Sequence, residues 1–246
     1  MDILYVIGKG SKWDNNELKY SLRSIEKNGI NVGRVFIVGE KPKFLVDDMP
    51  YIYCFDKYGK LFAHKNIYHK IKIAIQSGML PDHFLISSDD HFYCKPTDFD
   101  AYPVYYRERE IPAEIPADAR HNPYQLSLQE TRKFLLKHGL PIYQTNPHAN
   151  THIDVNLWKD NLDLFTKAQE LRWGGETNCI MGNLMIANGI IPEPIEDCKV
   201  YRFEDRIEFD EKTQNVHVFS MADSALNCGI RGILAEMFPE KSRWEK

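Results

Sequence analysis

The chain has 246 residues, of which 43% are hydrophobic and 12% aromatic, and its formal net charge at pH 7 is −4. These values predict a globular protein with a sizeable core, and the acidic balance argues against a general nucleic-acid-binding protein, which needs a basic surface. The five cysteines lack CxxC spacing, which disfavours a zinc ribbon or a disulfide framework. Because no signal peptide or long apolar span is evident, we expect a cytoplasmic protein with reduced thiols.

The first ninety residues alternate between predicted strands and helices. The apolar run Ile3–Ile7 predicts a buried strand, and Asp14 and Glu17 form a capping-box-like start for a helix that ends at Asn28-Gly29. Further strands are predicted at Arg34–Val38, Tyr51–Phe55 and Phe84–Ser87, with a helix around Ile67, Ile71 and Ile75 that is closed by Gly78. This alternation predicts an α/β fold with a mostly parallel, Rossmann-like sheet flanked by helices. Ligands then bind beyond the carboxyl ends of the strands.

The second half of the chain has a less regular pattern. Four prolines within residues 100–125 predict a long loop, and Ser127-x-x-Glu130 predicts a capping box for a helix that ends at Gly139. Helices are also predicted at 159–171, 177–188 and 222–237, and strands at 199–203 and 215–220. We expect one domain over residues 1–246, with a nucleotide-binding half (1–100) and an elaborated acceptor-side half (101–246).

The segment FLISSDDHFYCKP carries the strongest chemical signal. Asp89, Asp90 and His91 directly follow a predicted buried strand, where a divalent cation could join the carboxylates to a diphosphate. Adjacent side chains point different ways, so one carboxylate can hold the metal while the other binds a sugar or ribose hydroxyl. A polar turn is the alternative interpretation, but two repelling carboxylates are a poor choice for a plain turn. The sequence therefore predicts Asp89, Asp90 and His91 as metal ligands.

The same segment resembles the DxD-type motif of GT-A glycosyltransferases, with Asp89-x-His91 similar to the DxH variant. The stretch from Asp14 to Asn28, followed by RVFIVGEKPKFL, also resembles the first conserved region of the Stealth sugar-1-phosphate transferases, over about the first hundred residues; YVIGKG stands where that family has TWVDG. The GT-A resemblance implies a GT-A-like fold and an enzyme that uses Mn²⁺ or Mg²⁺. Such an enzyme transfers a sugar from a nucleoside diphosphate donor, expected to be UDP-linked, to a hydroxyl acceptor.

A second segment, RWGGE, is similar to the WGGE segment of several GT-A enzymes. The resemblance implies that Trp173, Gly174 and Gly175 line the donor sugar and the acceptor. Paired glycines let backbone approach a ligand closely, and a neighbouring carboxylate can accept a hydroxyl proton. Glu176 is therefore the first choice for a general base, with Asp90 as the second catalytic carboxylate. A glycine-rich turn in which Glu176 or Thr177 caps the next helix is the alternative.

Positive charge that could bind the diphosphate is expected at the start of a helix and at the end of the first strand. Lys65, Asn66 and Lys70 lie in the first turns of a predicted helix whose N-terminus can face phosphate, although a solvated basic helix face explains them equally well. Gly8 and Lys9, at the end of the first strand, are expected to cradle the base and ribose. Their spacing does not form a Walker motif.

Late histidines provide the remaining candidates. His217, in NVHVFS, is expected as an additional metal ligand because the resembled families often complete the metal shell with a late histidine; a structural strand histidine is the alternative. His148 and His152 fall in NPHANTHID, whose composition predicts a loop, and Asp154 nearby suggests acceptor binding or a supporting role.

Three other functions remain open on the sequence. They are a Stealth-type sugar-1-phosphate transferase in polysaccharide synthesis, a non-catalytic carbohydrate- or nucleotide-binding domain, and a DNA-modifying glycosyltransferase of the kind phages carry. The acidic balance disfavours the last of these.

Overall fold

The structure is a computed structural model that describes residues 1–246. In it, the apolar run near the N-terminus forms the central strand of the main sheet. The strands are β1 Ile3–Ile7, β2 Gly29–Ile30, β3 Val35–Gly39, β4 Tyr51–Tyr53, β5 His83–Ser87, β6 His91–Tyr93, β7 Thr97–Asp98, β8 Tyr105–Tyr106, β9 Thr151–Asp154, β10 Glu193–Pro194, β11 Lys199–Val200 and β12 Val218–Met221. The α-helices are α1 Asn16–Asn28, α2 Ala63–Gln76, α3 Pro123–Lys137, α4 Val155–Asp160, α5 Leu162–Glu170, α6 Thr177–Ala187, α7 Arg206–Thr213 and α8 Ile230–Met237. None of these helices has both the length and the apolar character needed to cross a bilayer.

Five strands form the main sheet, in the order β4-β3-β1-β5-β9. All neighbouring pairs are parallel except β5 and β9. Both faces of the sheet are covered, which explains why β1 is a continuous apolar run: Leu4 packs towards α2, α5 and α6, whereas Ile3 and Tyr5 pack towards α1. The predicted α/β class, with a mostly parallel sheet flanked by helices, is confirmed.

A smaller sheet of three strands, in the order β11-β12-β6, lies beyond the acidic segment. Its strand β6 begins at His91, four residues after β5 ends at Ser87, so Asp89 and Asp90 lie in the short connection between the two sheets. The small sheet packs on α7 and α8 around Phe92, Phe209 and Phe219. This connection holds the acidic residues between two rigid elements.

Several element predictions were wrong. Residues 151–154 form β9 and are not part of a loop, because Ile153 is buried against the core and the strand pairs with β5. The helix expected at 159–171 is interrupted at Asn161, whose side-chain amide donates to the carbonyl of Leu157. A 3₁₀ turn, Asp223–Asn227, takes up the first part of the helix expected at 222–237. Helix α7 was not predicted.

Both predicted capping boxes were also wrong. The residue before α1 is Asn15, in a left-handed conformation without a side-chain cap, and the hydroxyl of Ser11 accepts the backbone N–H groups of Trp13 and Asn15. Helix α3 starts at Pro123 under an Asn122 cap, and Ser127 lies inside it. Proline at the first helical turn loses no hydrogen bond, so the helix begins earlier than the Ser-x-x-Glu pattern indicates.

Candidate functional site

Three connected clefts open at the carboxyl ends of β1 and β5. The main cleft has a volume of about 410 Å³, and its lining includes His64, Asp90, His91, Tyr124, Asn146, His148, Thr151, Glu176, Asn178 and Lys199. The acidic cleft, of about 280 Å³, is lined by Val6, Gly8, Gly10, Ser11, Glu17, Ser88, Asp89, Asp90, Met221 and Asp223. The basic cleft, of about 420 Å³, is lined by Val6, Gly8, Lys9, Gly10, Lys12, Asp56, Lys60, Ala63, Asn66, Ile67, Lys70 and Asp223.

Shared residues join these clefts into one site. Asp90 lines both the main and the acidic cleft, Lys60 lines both the main and the basic cleft, and Gly8 lines both the acidic and the basic cleft. The three clefts therefore lie beyond the strand ends, where the sequence predicted that ligands bind. Both halves of the chain contribute, since residues from His64 to Lys199 line the main cleft.

The acidic cleft concentrates negative charge around Asp89. Burial raises the pKa of Asp89 to about 7, with additional repulsion from Asp90, Glu17 and Asp223. Two of these neighbours have polar contacts of their own: Ser11 donates to Glu17 at 2.8 Å, and Lys12 pairs with Asp223 at 3.0 Å. Asp89 forms no ion pair, so a positive charge placed beside it would favour its ionised form.

The donor set of the acidic cleft fits a hard divalent cation that shares its shell with other oxygens. No three His, Cys, Asp or Glu side chains in the chain are grouped closely enough to hold a metal by themselves. Mg²⁺ and Mn²⁺ sites of phosphate-handling enzymes commonly use one or two carboxylates, with waters and phosphate oxygens as the other ligands. Asp89 and Asp90 could supply those two carboxylates, and a bound cation would offset the repulsion between Asp89 and its acidic neighbours.

His91 is buried where β6 starts and lines the main cleft. Its Nδ1 lies 3.4 Å from the side-chain oxygen of Asn150. Burial lowers the pKa of His91 to about 4, so the ring is neutral at physiological pH and can act as a nitrogen ligand. The structure thus keeps all three residues of the predicted triplet at the junction of the clefts.

The structure does not bring His217 to this junction. His217 is exposed, and its carbonyl accepts the backbone N–H of Cys94, whereas Ser220 lies opposite His91 in the β12–β6 register. Three strand residues correspond to about 10 Å, so His217 lies about this far along the strand from the residue opposite His91. The residue that β12 does deliver to the acidic cleft is Asp223, just past its end, which sequence reasoning missed.

Glu176 lines the main cleft together with Asp90, and it is almost fully buried. Its Oε2 accepts the backbone N–H of Cys179 at 2.6 Å, which caps α6, and its Oε1 lies 3.8 Å from Nδ1 of His64. The capping interpretation is therefore correct, and the same side chain also reaches the cleft. Asp90 and Glu176 line one cavity, as the sequence predicted for the two carboxylates.

Trp173, Gly174 and Gly175 line none of the three clefts. Gly174 has φ +79°, and a Cβ there would lie 2.7 Å from the Cγ of Lys65; a Cβ on Gly175 would lie 2.9 Å from that of Ala168. The glycines allow other segments of the same chain to pack closely against them. The expectation that they approach a ligand is not met. The indole of Trp173 stacks on Phe62, with ring centroids 5.9 Å apart.

Four of the five predicted phosphate- or nucleotide-binding residues at the helix and the first strand line the basic cleft. They are Gly8, Lys9, Asn66 and Lys70. Lys70 is buried and forms an ion pair with Asp56, and the Asn66 amide bonds to both backbone polar groups of Tyr58. Lys65 faces elsewhere, with its ammonium 5.7 Å from the ring centroid of Phe62.

Lys60 is a cation of the site that sequence reasoning missed. It precedes α2, lines both the main and the basic cleft, and forms no ion pair. The other lysines around the basic cleft are neutralised: Lys9 by Glu40 at 3.0 Å, Lys12 by Asp223 and Lys70 by Asp56. Lys60 is thus a lysine of the site without an ion pair, as is Lys199 in the lining of the main cleft.

Four residues that line the main cleft each carry a buried polar atom without a hydrogen-bond partner. These atoms are Nδ1 of His64, Oδ1 of Asn146, Oγ1 of Thr151 and Oδ1 of Asn178. Buried polar groups are nearly always hydrogen-bonded, so four unpaired ones in one cavity indicate a polar ligand or ordered water. A cavity lined by amide and hydroxyl groups beside the aromatic ring of Tyr124 has the chemistry that binds a sugar.

Two histidines that sequence reasoning grouped together have different environments. His148 lines the main cleft. His152 points away, with its Nε2 2.8 Å from the carbonyl oxygen of Tyr102, and Asp154 caps α4 through the backbone N–H of Leu157. Only His148 therefore belongs to the site.

Comparison with known proteins gives a structural likeness only. No family model and no curated protein matches the chain. A structure of the galactosyltransferase LgtC in complex with donor and acceptor sugar analogues is similar, with 12% identity, a TM-score of 0.49, and coverage of 100% of this chain and 98% of that chain. An active-site mutant of LgtC is similar with 10% identity, a TM-score of 0.46 and coverage of 99% and 98%. At these TM-scores the likeness carries no argument about activity, so function is inferred from the clefts.

Proposed function

We propose that the protein is a GT-A-like, metal-dependent glycosyltransferase that moves a sugar from a nucleoside diphosphate donor, with uridine as the expected base, to a hydroxyl acceptor. The observation that carries this proposal is the position of Asp90. It lies where the acidic cleft meets the main cleft, whose lining includes four residues that each carry an unpartnered polar atom. The cleft that would bind the cation and the polar cleft that would bind the sugar thus share the carboxylate of Asp90.

The proposed roles follow the three clefts. Asp89, Asp90 and His91 hold Mn²⁺ or Mg²⁺, which when bound neutralises charge on the departing nucleoside diphosphate. Lys60 contacts the diphosphate. Gly8, Lys9, Asn66 and Lys70 surround the nucleoside in the basic cleft, and Glu176 binds a hydroxyl group in the main cleft.

We place the whole chain in one domain, because residues from both halves line the main cleft. We place the protein in the cytoplasm, since all five cysteines are free thiols in the structure.

Thermal unfolding with a panel of nucleotide sugars, with and without Mn²⁺, tests this function. A donor at 100 times its dissociation constant should stabilise the protein by about 2.7 kcal/mol, and only when Mn²⁺ is present. Asp90→Asn should abolish this stabilisation, whereas Asp160→Asn, an exposed position at the end of α4, should retain it. Stabilisation that needs no metal, or that survives Asp90→Asn, would contradict the proposal.

A sugar-1-phosphate transferase of the Stealth type is the second candidate, favoured by the resemblance of residues 14–45. The same clefts would then bind the donor, but the acceptor would attack phosphorus. Product analysis separates the two reactions, because glycosyl transfer from a UDP-sugar releases UDP and phosphoryl transfer releases UMP. Binding of donor and metal without either product would indicate a non-catalytic binding domain.

A further inference from the structure

A histidine–aspartate pair lies at the main cleft, since His148 lines this cleft and contacts Asp197. The Nδ1 of His148 lies 2.9 Å from Oδ2 and 3.0 Å from Oδ1 of Asp197. The backbone N–H of His148 donates to the same carboxylate at 2.6 Å. Two contacts from one residue to one carboxylate fix both the ring orientation and its tautomer, with the proton on Nδ1.

Asp197 is well placed to remain ionised. Its side chain is only 9% exposed, and Nη1 of Arg107 lies 3.3 Å from its Oδ2. Burial acts to raise the pKa of Asp197, but the hydrogen bonds from His148 and the charge of Arg107 outweigh it and hold the pKa below its ordinary value. The carboxylate can therefore stabilise a positive charge that develops on the imidazole.

The Nε2 of His148 is the free end of this pair. It forms no hydrogen bond, while the residue lines the cleft together with Asp90, His91 and Lys199. An imidazole with its distal nitrogen unpaired and its proximal nitrogen held by a carboxylate is the arrangement that activates hydroxyl groups in many enzymes.

Resting on the proposed glycosyltransferase function, we propose that His148 is the catalytic base for the acceptor and that Asp197 is its positioning residue. The acceptor hydroxyl gives its proton to Nε2 as its oxygen bonds to the anomeric carbon. The bond from that carbon to the diphosphate oxygen breaks, and its electron pair leaves with the nucleoside diphosphate. Asp197 balances the charge of the resulting imidazolium.

Glu176 is less suited to this step. Its Oε2 is committed to the N-terminus of α6, and its Oε1 faces His64. Transfer of the acceptor proton to Glu176 would weaken the hydrogen bond by which its carboxylate caps α6. The titratable and charged groups around His148 are Asp197, Arg107, His91, Asp90 and Lys199, so the pair lies in a mixed and not a purely acidic environment.

The test compares His148→Gln, Asp197→Asn, Glu176→Gln and a control, His138→Gln, which alters an exposed histidine at the end of α3. UDP-hexoses are the donors, and 4-nitrophenyl glycosides and water are the acceptors. His148→Gln should lower kcat by about 10²- to 10⁴-fold while Mn²⁺-dependent UDP binding stays within twofold. Asp197→Asn should lower kcat less, and His138→Gln should leave it unchanged.

Rescue separates a base from a structural residue. In His148→Gly, added imidazole should restore part of kcat, and it should have no effect on Glu176→Gln. If His148→Gln keeps wild-type kcat, or if imidazole rescues nothing while UDP binding is intact, the inference is wrong and the glycosyltransferase function stands. If the wild-type protein neither transfers nor hydrolyses any donor, the proposed function itself fails.

Discussion

Replacing Asp89 with asparagine is expected to stabilise the metal-free protein at pH 8 and to weaken its binding of Mn²⁺. In the folded protein the pKa of Asp89 is raised from 3.8 to about 7, first by burial and then by repulsion from Asp90 and its acidic neighbours. A group whose pKa is raised by folding binds its proton more tightly in the folded state. Its contribution to stability is therefore fully present below about pH 4 and is lost as the pH rises to about 7.

The size of the effect follows from the same shift. One pKa unit corresponds to about 1.4 kcal/mol, so a rise of about three units corresponds to at most about 4 kcal/mol. The side chain of Asp89 retains some contact with water in the acidic cleft, which screens part of the repulsion, so we expect about 1–2 kcal/mol. Asparagine keeps the shape of the side chain and removes the charge.

Urea denaturation in EDTA at pH 4 and pH 8 measures this prediction. Asp89→Asn should match the wild type at pH 4 and exceed it at pH 8. The exposed substitution Asp160→Asn should change neither value by more than about 0.5 kcal/mol. In the presence of Mn²⁺ the difference in unfolding free energy between Asp89→Asn and wild type at pH 8 should become smaller or change sign. The reason is that the cation stabilises only the protein that binds it. Equal stabilities of wild type and Asp89→Asn at both pH values would refute the reasoning.

Further predictions concern the scaffold. Gly39→Ala should prevent stable folding, since φ is +120° and a Cβ would lie 1.9 Å from a carbonyl oxygen of β1; soluble yield and circular dichroism measure this. Arg23→Ala should cost about 3 kcal/mol in urea unfolding, because it leaves Glu245 buried without its 2.8 Å partner. Arg243→Ala, which removes an exposed ion pair with Glu26, should cost less than about 1 kcal/mol, and comparable losses for the two arginines would contradict this distinction.

The main sheet and the acidic junction could be predicted because their signals are local. The apolar run Ile3–Ile7 needs burial on both faces, and an acidic triplet directly after a buried strand can lie only at the end of that strand. Glu176 was also found from its neighbourhood in sequence, although the glycines beside it serve packing and not ligand binding.

The rest of the site depends on long-range contacts that no local pattern reports. His148 and Asp197 are 49 residues apart, and only the pairing of β9 with β5 and the path to β11 bring them together. Lys60 could have been noticed as a lysine just before a helix, but its lack of an ion partner is visible only in three dimensions. His217 was expected at the metal site, but the sequence of a single strand does not give the register of β12 against β6, in which Ser220 lies opposite His91.

Calorimetric titration of UDP into the protein with Mn²⁺ and with EDTA tests the central claim most directly, using wild type and Asp90→Asn. The account predicts that UDP binds the wild type at least tenfold more tightly with Mn²⁺ than with EDTA, and that Asp90→Asn removes the difference. UDP affinity that is the same in EDTA and Mn²⁺, or a metal effect that persists in Asp90→Asn, would contradict the assignment of the junction between the clefts as a metal and diphosphate site.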